Sequence, residues 1–160
     1  MFRTAAGPAG AAGPVLAGIL AVATAEDVLR RSFAEARRRT VTLRVLLAGP
    51  VTAAGEDALV GDLVDRWAEK YPDVPVTVAV RGGLDAAITL TAATRRCGLA
   101  VVAEPTDAHE AAVVEALARR AYCPVIVVTA GRLHLGSGPT ALAAERGSAW
   151  DRGRRKETRT

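Results

Sequence analysis

Glu104, Asp107 and Glu110 crowd one short stretch, VVAEPTDAHEAA at residues 101–112, with His109 beside the last of them. Carboxylates and an imidazole so close together could do three kinds of chemistry. They could move protons, hold a divalent cation, or cap a helix. Asp107 and Glu110 have the spacing of an N-cap residue and the glutamate that answers it. His109 falls in the first turn of that helix and reads as an exposed side chain rather than a general base. Glu104 and Asp107 offer too few oxygens for a cation cage, so no metal site is expected. The serines are Ser32, Ser137 and Ser148, and none follows a strand as a hydrolase nucleophile must. Cys97 and Cys123 are too widely spaced for a zinc framework and read as free thiols. No catalytic grouping emerges, and the chain is expected not to be an enzyme.

The elements that carry these residues alternate strictly. VLAGIL (15–20) is a continuous apolar run, as in a strand covered on both faces. Thr24 then suits an N-cap, Leu29, Phe33 and Ala36 recur at helical spacing, and Arg37, Arg38 and Arg39 close the helix. VTLRVLLA (41–48) is a second strand. Leu59, Val60, Leu63, Val64 and Trp67 form the apolar stripe of a second helix, with Trp67 as core. VPVTVAV (74–80) is a third strand, followed by a helix over 84–95 with Leu84, Ala87, Ile88 and Thr91 facing inward. LAVVA (99–103), a helix over 107–121 through Val113, Val114 and Leu117, and PVIVV (124–128) complete the series. This predicts a three-layer αβα fold, an open flavodoxin- or Rossmann-like parallel sheet with right-handed crossovers.

A chain of 160 residues makes one domain with a full core. It is 50 % hydrophobic and only 4 % aromatic, so that core is Ala, Val and Leu. Residues 1–13, rich in Ala, Gly and Pro, are expected to be a disordered leader, 14–130 the domain, and 131–160 a flexible basic tail. The net charge of +4 comes mostly from that tail: residues 145–160 carry six basic and three acidic groups. A basic tail without an aromatic-studded basic face argues against a nucleic-acid partner. No run approaches a membrane span. Arg3, VLAGILAV and ATA loosely imitate a signal peptide, but cleavage there would remove the first strand, so a reducing cytoplasm is expected.

GPVLAGI followed by TAEDVLRRSFAEARRR resembles the opening of a universal stress protein domain, as do DRWAEKYPDVPVTVAVRGG, LAVVA and RRAYCPVIVV further on. The resemblance covers about residues 13–129. It implies a five-stranded parallel sheet of order 3-2-1-4-5, of the adenine nucleotide alpha hydrolase-like type. It also implies homodimers through the last strand, 124–128, and in many members ATP between strands 1 and 4. The chain departs from both ATP signals of that family. An Asp-Gly-Ser after strand 1 falls on Leu20, Ala21 and Val22. A glycine loop after strand 4 has its first two glycines at Ala103 and Thr106 and its closing Gly-Ser at Ala111 and Ala112, in a loop about five residues shorter. Without glycine the backbone cannot approach a phosphate closely, and Glu104 adds like charge. The expectation is a universal stress protein-like regulator or interaction module with no cofactor. The alternative is a member that binds ATP or AMP in a divergent pocket.

Overall fold

The computed structural model describes residues 13–49, 55–83 and 85–129. Apart from Gly13, the expected leader and tail lie outside the described residues, as does Leu84. Five strands form one parallel sheet: β1 Val15–Ile19, β2 Leu43–Gly49, β3 Val76–Gly82, β4 Leu99–Ala103 and β5 Val125–Val128. Their order is β3-β2-β1-β4-β5, as expected, with β1 central and β3 and β5 at the edges. Four helices connect them: α1 Ala25–Arg39, α2 Glu56–Lys70, α3 Ala86–Ala93 and α4 Ala108–Arg120.

Strand alternation divides the core in two. Val15, Ala17 and Ile19 of β1 join Leu43, Val45 and Leu47 of β2 beneath α1 and α2, around Leu29, Phe33, Val60 and Val64. Leu16 of β1 and Leu46 and Ala48 of β2 face the other way, towards Leu90 of α3 and Val113 and Leu117 of α4. The chain leaves β1 towards β2 and β3 with α1 and α2 on one side. It then crosses back to β4 and β5 with α3 and α4 on the other, as right-handed crossovers require.

Gly18 of β1 is where the Leu90 side chain of α3 rests on the sheet. A Cβ there would stand 2.9 Å from a methyl of Leu90 and 3.1 Å from one of Val102. The missing side chain lets Leu90, fully buried, press onto the central strand.

Three local expectations need correction. Thr24 does not cap α1 with its side chain. Residues Val22–Thr24 already form a 3-10 turn, and the Thr24 hydroxyl donates backwards to the Ala21 carbonyl at 3.3 Å. Ile88 is 67 % exposed rather than inward. Asp85 caps α3 by accepting from the Ile88 amide, and this phase turns Ala86 and Leu90 to the sheet instead. Leu59 is 54 % exposed, because α2 packs through Val60 and Val64 and Leu59 lies on the flank of that stripe.

Helix α1 ends on a left-handed residue, Thr40, at φ 58° and ψ 48°. The Thr40 amide donates to Arg37 and the Val41 amide to Ala36, which closes the helix as a Schellman motif without the usual glycine. Near that end Glu35, 7 % exposed, accepts from Arg31, Arg38 and Arg39 at 3.3, 2.6 and 3.3 Å. Burial pushes the Glu35 carboxyl up, but the hydrogen bonds from Arg38 and Arg39 and the charges of Arg38 and Arg31 outweigh it. The carboxyl therefore sits below its ordinary range.

Candidate functional site

An open α/β sheet binds ligands at the carboxyl ends of its strands, where the connections diverge. Here that point lies between β1 and β4, which pair through Val15–Leu99, Leu16–Ala100 and Ala17–Val101. The chain leaves β1 through Leu20, Ala21 and Val22, all half-buried. Leu20 packs with the α3–α4 core and Val22 with the α1–α2 core. Two apolar side chains thus splay to opposite faces of the sheet at this point.

Beyond β4, Ala103 is half-buried against the α1–α2 core. Glu104 is exposed, and its amide donates to the Val128 carbonyl at 2.8 Å, carrying the ladder to β5 one residue further. Asp107 is the N-cap of α4 and accepts from the Glu110 amide at 2.8 Å. Glu110, 9 % exposed, folds back so that one carboxylate oxygen accepts from both the amide and the hydroxyl of Thr106, each at 2.9 Å. The expected reciprocal cap is present, but it reaches one residue further back than the spacing suggests. A threonine just before the cap supplies a hydroxyl as well as an amide, and that was the overlooked signal. Ala111 and Ala112 lie beyond the first turn of α4, both exposed. The structure therefore brings Leu20, Ala21 and Val22 to the same end of the sheet as Ala103, Glu104 and Thr106, and leaves Ala111 and Ala112 on the helix.

A helix start normally offers free amides to an anion. At α4, side-chain carboxylates already take the Thr106 and Glu110 amides. His109 is exposed in that first turn, as expected. Among the described residues, no three His, Cys, Asp or Glu side chains are grouped to hold a metal ion.

The other end of the sheet is different in charge. Helices α1 and α2 begin with Glu26, Asp27, Glu56 and Asp57, and α3 and α4 are capped by Asp85 and Asp107. They finish with Arg37, Arg38, Arg39, Lys70, Arg119 and Arg120, with Arg95 and Arg96 in the turn after α3. Every helix runs against the strands, so acids gather at the strand tips and bases at the strand origins. Cys97 and Cys123 sit at the basic end as free thiols. Burial pushes the Cys97 thiol up against the opposing pull of Arg44. Burial and the neighbouring Cys97 push Cys123 up to about 12. Neither is an activated nucleophile at neutral pH.

No family model and no curated protein matches the sequence. Solved structures do match. The universal stress protein UspA from Lactobacillus plantarum aligns with a TM-score of 0.54 at 14 % identity, over 72 % of this chain and 97 % of that one. A universal stress protein in complex with cAMP gives 0.55 at 20 % identity, over 74 % and 98 %. The universal stress protein from Archaeoglobus fulgidus in complex with dAMP gives 0.50 at 20 % identity, over 72 % and 97 %. With these alignments over most of its length and a five-stranded parallel sheet in the expected order, the chain has the fold of the universal stress proteins.

Proposed function

We propose that the chain is a universal stress protein-like, non-enzymatic regulator or interaction module whose strand-tip crevice does not take ATP. The observation that carries this reading is the closure at α4. Glu110 holds the Thr106 amide and hydroxyl while Asp107 holds the Glu110 amide, so carboxylates stand where phosphate oxygens would need donors. Leu20 in the place of a carboxylate removes a charged hydrogen bond to the nucleotide, worth roughly 1.5–3 kcal/mol. Each ~1.4 kcal/mol is tenfold in affinity, so the combined losses take a micromolar site to millimolar or beyond.

In this reading residues 14–130 form the working domain, between a leader at 1–13 and a basic tail at 131–160, in the cytoplasm. The module acts through its surfaces, without nucleic acid. It pairs with a second copy through β5, whose four residues are half-buried and whose outer edge no strand of the described residues covers. An exposed β-branched edge invites an antiparallel partner strand, and a two-fold pairing satisfies both edges alike.

A second reading has its own support. Two of the similar structures hold cAMP and dAMP, which bring a single phosphate and demand fewer donors than ATP. Titration calorimetry with Mg-ATP, and separately with AMP and cAMP, distinguishes the two. The first reading expects no ATP binding tighter than about 1 mM, and no rescue by Leu20→Asp because the loop after Ala103 stays short. A dissociation constant in the micromolar range for any of the three nucleotides overturns it in favour of the second.

A further inference from the structure

One helix covers about two strands, because strands lie about 4.8 Å apart and helices about 10 Å across. On the α3–α4 face, two helices must serve five strands, and α3 is only eight residues long. Its Leu90 presses onto Gly18 of β1, so its flank stops short of the outermost strand. On this face β3 presents Thr77, Ala79 and Arg81, small or polar side chains suited to an uncovered position. The step between α3 and β3 is an open groove of about 390 Å³.

The floor of the groove is apolar, with Leu16 and Leu46 buried beneath it and Ala79 and Ala93 half-exposed along it. Its rim is cationic. Arg44 stands opposite Thr77 in the β2–β3 register, and Arg81 lies four residues further along β3, about 13 Å away at strand rise. Arg96, in the turn after α3, joins the Arg44 end. None of the three arginines pairs with a carboxylate among the described residues, whereas Arg30, Arg31, Arg37, Arg38, Arg39 and Arg119 all do. Arg44 reaches the Cys97 thiol. Among the described residues, no acid lines the groove.

We propose that this groove binds a small organic phosphate, a monoester whose apolar body lies over Leu46 and Ala79 and whose head group is taken by the rim arginines. Guanidinium forks match phosphate oxygens two at a time, and Thr77 adds a hydroxyl on the β3 side. The site is separate from the strand-tip crevice. It lies on a face of β2 and β3, and its arginines come from the start of β2, the end of β3 and the turn after α3.

The test uses the full chain and 1-naphthyl phosphate as the probe, followed by amide shifts in two-dimensional NMR. Inorganic phosphate and 1-naphthol serve as the head-group and body controls. Saturable binding of the probe, with shifts centred on Leu46, Ala79 and Thr89 and much weaker binding of both controls, supports the site. Arg44→Glu and Arg81→Glu are each expected to weaken binding by tenfold or more. Both arginines are exposed, so both variants should keep the wild-type spectrum elsewhere. Absence of saturation at millimolar probe overturns the proposal. So does a probe affinity unchanged by both variants, or matched by either control. If ATP proves to bind at the strand tips, that binding should survive Arg81→Glu, which keeps the two sites distinguishable.

Discussion

The two faces of the sheet are covered by different means. One carries α1 and α2, each of 15 residues, and the other carries α3 and α4, of 8 and 13. Beneath the first lies Phe33, fully buried, with the Tyr71 ring stacked 5.6 Å away and Trp67 6.4 Å beyond Tyr71. Lys70 and Arg30 close over the Trp67 ring at 4.5 and 6.0 Å. The second core contains Leu90, Leu117, alanines and valines, with no aromatic ring among the described residues. The longer layer packs onto the sheet through large side chains. On the shorter layer the Leu90 side chain rests on the bare backbone of Gly18, and a groove stays open beside α3. Helix length and side-chain size thus vary together, and the groove lies beside the shortest of the four helices.

The largest test of that contrast compares truncations. Phe33→Ala should remove about 3–5 kcal/mol of stability, and Leu90→Ala about 2–4, because the smaller side chain gives up less buried surface. Urea unfolding of both variants measures the difference. Equal losses, or a larger loss at Leu90, would break the comparison.

Next come the helix ends. Thr94, which follows α3, is fully buried, and its hydroxyl donates to the Thr91 carbonyl at 2.6 Å and accepts from the Tyr122 amide at 3.0 Å. Thr94→Gly should cost about 2 kcal/mol through the lost partner and the added chain freedom. Thr40, which follows α1, is exposed and left-handed, so Thr40→Gly should gain about 0.5–1 kcal/mol. The same substitution is thus expected to act in opposite directions on the two layers. Shifts of the same sign in thermal unfolding would remove that distinction.

The last expected effect is electrostatic and belongs to the α1 side alone. Glu35→Gln should lower stability by about 1 kcal/mol at pH 7, discounted for the exposed Arg38. Its carboxyl is held below the ordinary range in the fold, so the stabilisation is present above the unfolded value of about 4.3. It is lost as pH falls through the lower folded value. The gap between variant and parent should therefore close in acid, and a gap that persists there would assign the effect to packing instead.

Much of this architecture was legible from residue pattern alone. Five short apolar runs separated by helical stripes fix a parallel sheet, and the D-x-x-E spacing at Asp107 announced the cap of α4. Ile88 and Leu59 were misplaced because an apolar residue one position from a stripe cannot be told from a member of it until the cap sets the phase. Thr40 gave no signal, since the left-handed turn there is imposed by the Val41–Ala36 bond and not by residue type. Arg44 and Arg81 share a groove through the β2–β3 register, in which Arg44 meets Thr77 and Ala48 meets Arg81. No local window contains both.

The gathering of acids at the strand tips and bases at the strand origins has a consequence for the molecule as an electrical body. In an antiparallel bundle neighbouring helices cancel one another, but here all four point the same way and their end charges add. The result is a permanent moment along the strands that exists whatever the net charge. Near a charged surface the molecule feels a torque before it feels a pull, and it arrives with one particular end first. At 0.01 M salt the screening length of about 30 Å exceeds the ~22 Å length of α1, so both poles are sensed at once. At physiological salt, with ~8 Å, only the nearer pole counts.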